Sequence, residues 1–350
     1  MHRPASGAVK YVYGAGRAAL AAAPVLCLVG CGSIVASPRG QAAQPLSGAH
    51  RSIGPAVSTC ATMGCIYVTN SYRDGFQAVN AYPLDANGNV PPLFRIGLGV
   101  DNYSPGVALD SSRNVYVAND TRQAVTVYAA GSSTVIATIA GPNTGLNGPH
   151  GVTIGLHGNT FVANAGGSVT AYPAGANGNV TPFRTIMGSL TGLSSPYGIA
   201  TDWYGVGTLY VANLSGGPSG NGSVTVYAAG ANGNVAPVQT VSGSMTGING
   251  PYDVAVDGQG EIYVANAYGN SVTVYAAGAN GNVAPLRTLS GHLSFPTGVV
   301  VGARGILFVV NQLTFSVMAF AKGASGGAPP IRTIEGRKTL LYLPSGLAVR

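Results

Sequence analysis

The stretch from Gly250 to Gly291 recurs, with substitutions, through most of this 350-residue chain. It contains an Asp-Gly and an Asn-Gly sequence, each of which favours a tight hairpin. The hairpins connect four short runs rich in Val, Ile, Tyr and Thr, at Tyr252–Val256, Glu261–Ala265, Ser271–Ala276 and Pro285–Leu289. The unit therefore predicts four antiparallel strands with two apolar faces, and such a unit needs neighbours to cover both faces.

The second strand of every unit ends in Asn, within sequences such as IYVTN, VYVAN and LFVVN. The copies are spaced by 45 to 53 residues, close to the period of roughly 40 to 50 residues of propeller blades with four strands. The chain therefore predicts an all-β fold, a six-bladed β-propeller of four-stranded antiparallel blades. The repeated residues are Asn70, Asn119, Asn164, Asn213, Asn266 and Asn311.

The first strand of the repeat has a spare copy at the C-terminus, where LPSGLAVR is not followed by a second strand. A degenerate version of the same strand begins at Gly54, so either end of the domain could supply the inner strand of the first blade. We expect the C-terminal strand, Leu347–Val349, to close the ring, because closure leaves no open sheet edge. A seven-bladed ring is the disfavoured count.

Sequences such as PYDVAVDGQGEIYVAN, which begins at Pro251, make the chain resemble the NHL-repeat propellers of bacterial proteins. The resemblance covers about residues 53–350. It departs from the family pattern in one place, since Asn stands where many NHL repeats have Asp after the second strand. The resemblance implies a propeller that binds proteins, RNA or small ligands, and some related propellers are lactonases or lyases. A shared fold does not choose among these functions.

Residues 1–30 have the order of a lipoprotein signal peptide: a basic start, a short apolar segment and the lipobox-like sequence Leu28-Val29-Gly30-Cys31. The apolar segment is too short to span a bilayer comfortably. We expect Cys31 to carry lipid chains such as palmitate and to anchor an exported protein on the cell envelope. Gly32 favours the outer membrane if the cell is Gram-negative. A buried helix that ends in LVGC is the alternative interpretation.

Residues 31–52 are small, polar and proline-containing, which is typical of a flexible tether. In the propeller, residues 53–350, the cysteines are Cys60 and Cys65. Alignment of the repeats places them opposite each other across a hairpin of the first blade, and export would permit a disulfide. Two free thiols are the alternative. A zinc site is disfavoured, because no second Cys or His pair has the spacing of zinc ligands.

Composition suits an exported, rigid β protein, since 53 Gly and 22 Pro residues supply many turns and only 8% of residues are charged. The net charge of +7 includes three basic residues of the signal segment. The other charges are scattered, without a basic stripe interleaved with aromatic residues, so we expect no nucleic-acid binding. The recurring GANGN sequence, which reads DANGN at Asp85–Asn89, predicts a hairpin turn and not a calcium loop, because no acidic residue follows at the required position.

In a propeller, the loops that enter the first strands and those that leave the second strands share one face. This loop face surrounds the mouth of the central channel and is the default binding site. We predict a monomeric, non-catalytic module whose loop face binds an envelope protein, peptide or glycan without a metal or cofactor. The candidate residues are Tyr103, His150, Tyr197, Tyr252, Asp253 and Thr297, with Ser345 at the equivalent position of the C-terminal strand.

His150 and Asp253 could act as an acid and a base, and this pair defines the alternative function, a lactonase or lyase acting at the central channel. Two blades separate them, so we expect no direct contact. The ligand sets of gluconolactonase-like and streptogramin-lyase-like propellers do not carry over, because Glu261 and Glu335 are the only glutamates of the mature domain. A purely structural spacer is the third possibility. The repeated strand-end Asn is expected to cap its own turn.

Overall fold

The computed structural model describes residue 60 and residues 64–71, 76–100, 103, 105–155, 157–202 and 207–350. The strands of this part of the chain form six four-stranded antiparallel sheets, and each sheet is one blade. The six-bladed propeller predicted from the repeat is therefore confirmed. The proposed lipidation site, Cys31, and the proposed signal peptide and tether lie outside the described residues.

Within each blade, the strands follow one another from the central channel to the outer edge. Blade 1 contains β24 (Leu347–Val349), β1 (Cys65–Ser71), β2 (Phe76–Pro83) and β3 (Phe94–Val100). Blade 2 contains β4 (Val107–Leu109), β5 (Val115–Asn119), β6 (Ala124–Tyr128) and β7 (Val135–Ala140), and blade 3 contains β8 (Pro149–Ile154), β9 (Thr160–Asn164), β10 (Ser168–Tyr172) and β11 (Arg184–Met187). Blade 4 contains β12 (Pro196–Thr201), β13 (Leu209–Asn213), β14 (Ser223–Tyr227) and β15 (Gln239–Val241), and blade 5 contains β16 (Pro251–Val256), β17 (Ile262–Asn266), β18 (Ser271–Tyr275) and β19 (Arg287–Leu289). Blade 6 contains β20 (Pro296–Val301), β21 (Leu307–Asn311), β22 (Ser316–Phe320) and β23 (Arg332–Ile334), and two one-turn 3₁₀ helices cover Ala303–Gly305 and Arg337–Thr339.

The C-terminal strand closes the ring, as the sequence predicted. β24 pairs antiparallel with β1, and Val68 lies opposite Leu347 while Ile66 lies opposite Val349. Two backbone hydrogen bonds between Cys65 and Arg350, of 2.7 and 3.1 Å, extend the pairing. The first blade therefore combines the beginning and the end of the propeller domain.

The hydrophobic core lies between the blades. The second strands of blades 2, 3, 5 and 6 are buried at every position, because each is covered on both faces by neighbouring sheets. Buried residues form six clusters, and each cluster joins two adjacent blades. In the cluster between blades 5 and 6, for example, Val299 and Phe320 pack with Leu289. The isolated unit could not bury these side chains.

The GANGN sequence forms the turn between the third and fourth strands, and it also binds the preceding blade. In blade 5, Asn280 Oδ1 accepts the Thr240 N–H at 2.8 Å, and Asn282 Oδ1 accepts the Met245 N–H at 2.7 Å. Gly281 N–H donates to the Thr240 carbonyl at 2.7 Å. The corresponding turns of blades 1, 3 and 4 make the same contacts. The turn therefore covers the outer edge of the neighbouring sheet, a role that the sequence analysis did not foresee.

The tyrosines that end most third strands also connect neighbouring blades. The hydroxyl of Tyr275 donates to the Thr246 carbonyl of the preceding blade at 2.6 Å, and Tyr172 and Tyr227 make the equivalent bonds. Burial raises the pKa of all three phenols to about 12. These hydroxyls are therefore neutral donors in the interior, and each satisfies a carbonyl at the interface of two blades.

Cys60 and Cys65 form a disulfide, and their Cα atoms are 5.1 Å apart. Their positions differ from the alignment of the repeats, because β24, and not the segment around Cys60, is the inner strand of blade 1. The Gly64 N–H donates to the Cys60 carbonyl at 3.2 Å, so a backbone hydrogen bond accompanies the disulfide at the start of β1. No helix within the described residues has the length and apolar character needed to cross a membrane.

Candidate functional site

A channel with a volume of about 760 Å³ runs between the inner strands of the six blades. Glycine recurs near the start of these strands, and a Cβ atom there would collide with the backbone of the next inner strand. At Gly151, for example, it would overlap the Tyr197 carbonyl. The equivalent glycines are Gly106, Gly198, Gly298 and Gly346. Glycine is thus needed because the inner strands approach each other closely.

Asp253 takes the place of this glycine in blade 5. Its Oδ1 accepts the Val254 N–H at 2.9 Å, and its Oδ2 accepts the Val299 N–H of blade 6, also at 2.9 Å. The carboxylate has some exposure to the channel but is enclosed by the converging strands. Burial raises its pKa from 3.8 to about 7, and the two backbone N–H groups oppose that rise. Asp253 therefore joins two blades and titrates near neutral pH.

Six rings form an aromatic arc at the mouth of the channel. His150 lies 5.6 Å from Tyr103 and 4.0 Å from Tyr197, measured between ring centroids. The Tyr197 and Tyr252 rings are 4.9 Å apart. The arc continues to Phe295, 5.3 Å from Tyr252, and to Tyr268, which lies 6.0 Å from Tyr252 and 5.8 Å from Phe295. The arc consists of Tyr103, His150, Tyr197, Tyr252, Tyr268 and Phe295, and spans blades 2 to 6.

The two kinds of loop predicted to share a face both contribute to this arc. Tyr197 and Tyr252 follow the first proline of an inner strand, whereas Tyr268 follows the strand-end Asn of blade 5. Tyr268 is 54% exposed and Tyr103 is 36% exposed, so the outer part of the arc is open to solvent. Burial, followed by nearby tyrosines, raises the pKa of Tyr252, and burial also raises that of Tyr197. Both phenols are therefore neutral and can donate hydrogen bonds.

His150 is the most enclosed member of the arc, with 5% of its surface exposed. Its Nε2 lies 3.6 Å from Asp120 Oδ2, and its Nδ1 is buried without a hydrogen-bond partner. The Asp120 N–H donates to the Tyr103 carbonyl at 2.9 Å, which holds Asp120 and Tyr103 together. A buried ring nitrogen without a partner is uncommon, because buried polar atoms are normally hydrogen-bonded. His150 thus has an acidic neighbour on one side and an unused ring nitrogen on the other.

The sequence analysis placed Tyr103, His150, Tyr197 and Tyr252 on one face, and the structure brings them into one arc. The expectation that His150 and Asp253 make no direct contact agrees with the structure, since Asp120 is the acidic neighbour of His150. Thr297 lines the channel, but its hydroxyl donates to the Pro344 carbonyl at 3.3 Å. Thr297 is also buried, since only 7% of its surface is exposed, so it belongs to the joint between blades 6 and 1.

Sequence reasoning missed Asp120, Tyr268 and Phe295. All three lie in connecting loops, where the residue type changes from blade to blade, so the repeat did not single them out. Asp120 directly follows the Asn of the VYVAN sequence, and Phe295 directly precedes the inner-strand Pro296. This adjacency to the repeated positions was the available signal.

The repeated strand-end Asn residues are buried and structural, but most do more than cap their own turn. Asn119 Oδ1 accepts the Arg122 N–H at 2.8 Å, which is the predicted cap. In blade 5, by contrast, Asn266 Oδ1 accepts the Asn249 N–H at 3.1 Å, from the loop that enters the inner strand. Blades 3, 4 and 6 repeat this second arrangement. These amides hold the loops in place and do not line a ligand pocket.

Among the described residues, no three His, Cys, Asp or Glu side chains come together in a group that could hold a metal ion. The chemical groups offered by the channel mouth are aromatic faces, phenol hydroxyls, one imidazole and the carboxylates of Asp120 and Asp253. Such a set can stack on a flat ligand and exchange hydrogen bonds with it.

No protein-family model matches the chain, and no curated protein matches it by sequence. Solved structures do match. A chain in the crystal structure of a nidogen/laminin complex is 16% identical with a TM-score of 0.60, over 82% of this chain and 98% of that chain. A protein of unknown function from Bacteroides caccae is 14% identical with a TM-score of 0.58, over 82% of this chain and 99% of that one. The WD40 propeller domain of Doa1 is 11% identical with a TM-score of 0.51, over 78% and 85%. At these identities the comparisons establish the β-propeller fold, and no family is assigned.

Proposed function

We propose that this chain is a non-catalytic binding module whose aromatic arc holds a protein, peptide or glycan of the cell envelope. The observation that carries the proposal is the arc itself, in which six rings from five blades contact one another in sequence. Isolated aromatic residues on a surface need no explanation, but a contiguous and partly exposed set marks an interaction site.

The chemistry of the arc favours ligands with flat, weakly charged surfaces. Sugar rings and proline rings present C–H groups that pack on aromatic faces, and the phenols of Tyr197 and Tyr252 can bond their polar groups. The carboxylates of Asp120 and Asp253 lie at the same channel mouth, so strongly acidic partners are disfavoured. Within the broad class of envelope partners, a glycan or a proline-containing peptide segment suits the site best.

The proposed location rests on the sequence of the N-terminus. The lipobox-like sequence around Cys31 supports a lipid anchor, and the disulfide of Cys60 and Cys65 is compatible with an oxidising compartment. A relationship to NHL-repeat propellers is part of the same proposal and rests on the repeat signature. Mass spectrometry of the membrane-associated protein would test the anchor. Loss of membrane association in a Cys31→Ser variant is the expected result, and an unmodified Cys31 would contradict the proposal.

Binding can be tested with the purified propeller, residues 53–350, against an array of envelope glycans and proline-rich peptides. Tyr197→Ala and Tyr268→Ala should each weaken a detected interaction about tenfold or more, since an aromatic contact contributes about 0.5–1.5 kcal/mol beyond the burial of its area. Phe183→Ala provides the matched control, because Phe183 is 43% exposed on the outer edge of blade 3, away from the arc. A ligand that responds equally to all three changes binds elsewhere, and this result would refute the role of the arc.

A second candidate function follows from the position of His150. His150 lines the channel, and its Nε2 lies 3.6 Å from Asp120 Oδ2, so the imidazole could accept a proton from a substrate bound there. The matching hypothesis is a lactonase or lyase. Hydrolysis or elimination that disappears in His150→Gln, while the protein remains folded, would favour this candidate over the binding module.

A further inference from the structure

A second cavity, of about 320 Å³, opens on the face of the propeller opposite the aromatic arc. It lies between blade 6 and the turn that follows β2 of blade 1. Its floor is apolar, and two guanidinium groups and one carboxylate border it. The lining residues that matter for its chemistry are Leu84, Asp85, Arg304, Ile306, Phe308 and Arg332.

Arg332 is half-buried, and its Nε is buried without a hydrogen-bond acceptor. No ion pair between described residues involves Arg332, because the ion pairs found join His150 with Asp120 and Arg287 with Glu261. A buried polar group without a partner is unfavourable, and buried charges are normally paired. The Arg332 Nε–H thus has no acceptor from the described residues, and it borders a cavity that an acceptor from outside the chain could enter.

Blade 5 shows one way in which this fold satisfies an arginine at the same position. Arg287 occupies the position in β19 that Arg332 occupies in β23, since each is the first residue of its strand. The Arg287 Nη2 atom is 2.5 Å from Glu261 Oε2, and the Tyr263 hydroxyl donates to the same carboxylate at 3.0 Å. In blade 5, a carboxylate of the chain itself thus binds the guanidinium.

Blade 6 lacks both of these polar groups. Ile306, directly before β21, stands where Glu261 stands directly before β17, and Phe308 stands where Tyr263 does. The arginine has been kept, while its carboxylate and phenol have been replaced by apolar side chains that line the cavity. The space near Arg332 is therefore suited to a carboxylate that arrives with an apolar group.

A second arginine borders the same cavity. Arg304 has a φ of 60°, in the left-handed region where a residue with a side chain is strained. Its side chain is exposed and takes part in no hydrogen bond or ion pair of the described residues. Asp85 is the one acidic residue of the lining. It is exposed, and no ion pair joins it to either arginine among the described residues.

We propose that this cavity binds a small carboxylate with an apolar body, such as a medium-chain fatty acid or an arylalkanoic acid. The carboxylate takes the place that Glu261 has in blade 5 and accepts hydrogen bonds from Arg332, and Arg304 adds a second positive charge. The apolar body rests on Leu84, Ile306 and Phe308. A volume of about 320 Å³ suits a ligand of this size.

Octanoate and 3-phenylpropionate are suitable probes, with octanol and octylamine as controls that lack the carboxylate. Binding is measured by isothermal titration calorimetry and by the shift in melting temperature of the purified propeller. We expect both acids to bind and both controls to fail. Arg332→Met keeps the apolar stem and should weaken binding about tenfold or more, because a hydrogen bond to a charged group is lost. Arg287→Met removes the paired arginine of blade 5 and should leave acid binding unchanged.

The Ile306→Glu variant makes the test independent of any damage caused by removing an arginine. It supplies the carboxylate that blade 5 already has, so it should pair with Arg332, preserve the melting temperature and abolish acid binding. The proposal is overturned if octanol binds as well as octanoate, if neither acid binds, or if Ile306→Glu binds octanoate as the unmodified protein does. These outcomes do not depend on the aromatic arc, which lies on the other face.

Discussion

The side-chain amide of Asn266 allows a direct test of how the repeat is stabilised. Asn266 is fully buried, and its Nδ2 donates to Thr273 Oγ1 at 2.9 Å. Its other acceptors are more distant, the Val264 carbonyl at 3.3 Å and Ser271 Oγ at 3.5 Å. Thr273→Val removes the shortest of the three bonds while keeping the size and branching of the side chain. The valine leaves the amide with only its two longer contacts.

Blade 6 contains a natural example in which the corresponding amide has no acceptor at all. Met318 stands where Thr273 does, and the Nδ2 of Asn311 is buried without a partner. An unsatisfied buried polar group costs about 1–3 kcal/mol. Because the two longer contacts of Asn266 persist, we expect Thr273→Val to lower the free energy of unfolding by about 1–2 kcal/mol, within that range. For a domain of this size, the melting temperature should fall by roughly 2–4 °C for each kcal/mol.

Thermal unfolding followed by calorimetry and near-ultraviolet circular dichroism would measure this change. The control is Thr288→Val, because Thr288 is the cross-strand partner of Thr273 but is exposed. A surface change of this kind should stay within about 0.5 kcal/mol. If Thr273→Val melts at the same temperature as Thr288→Val, the buried amide does not depend on the threonine hydroxyl, and the argument is refuted.

Three further perturbations follow from the contacts between blades. Burial raises the pKa of Asp253 from 3.8 to about 7, so the folded state binds the proton more tightly than the unfolded state. The free energy of unfolding of the protein, relative to that of Asp253→Asn, should therefore be highest below pH 4 and decrease as the pH rises through 7. Urea denaturation across that pH range would measure this. Tyr275→Phe removes the 2.6 Å bond to the Thr246 carbonyl and should lower the free energy of unfolding by about 1–2 kcal/mol in the same denaturation assay; no change would mean that the carbonyl finds another donor. Gly151→Ala places a Cβ against the Tyr197 carbonyl, so it should lower the free energy of unfolding by about 1–3 kcal/mol. It should also alter the near-ultraviolet spectrum of the aromatic arc. A variant as stable as the unmodified protein would show that the inner strands can separate at little cost.

The fold could be predicted from the sequence because each blade repeats the same signals. The alternating runs, the Asn-Gly turns and the spare first strand were sufficient to give the number of blades and the closure by Leu347–Val349. The strand ends were less well defined. The fourth strand of blade 5, predicted from Pro285, begins at Arg287. Hydrophobic pattern therefore predicts the architecture, but it locates strand ends only to within about two residues.

The candidate site could be predicted only in part. Tyr197 and Tyr252 occupy a repeated position, so their location near the channel followed from the alignment. Tyr268 and Phe295 lie in loops whose residue type varies from blade to blade, and only folding brings them to Tyr252. The contacts of the GANGN turns were missed for a related reason: a turn can be recognised from its own residues, whereas the neighbouring strand that it binds becomes known only when the blades are placed in a ring.

The pairing of β24 with β1 also has a consequence for the order of assembly. Blade 1 is made early, but its inner strand is supplied by residues 347–349, near the end of the chain. Until those residues are synthesised, the first sheet has three strands, and β1 has no strand to pair with on its inner edge beside Tyr67. The wall of the channel also has a gap at this blade. A chain that ends a few residues earlier would therefore leave the edge of β1 unpaired and part of the core exposed. Proteases and chaperones recognise such features.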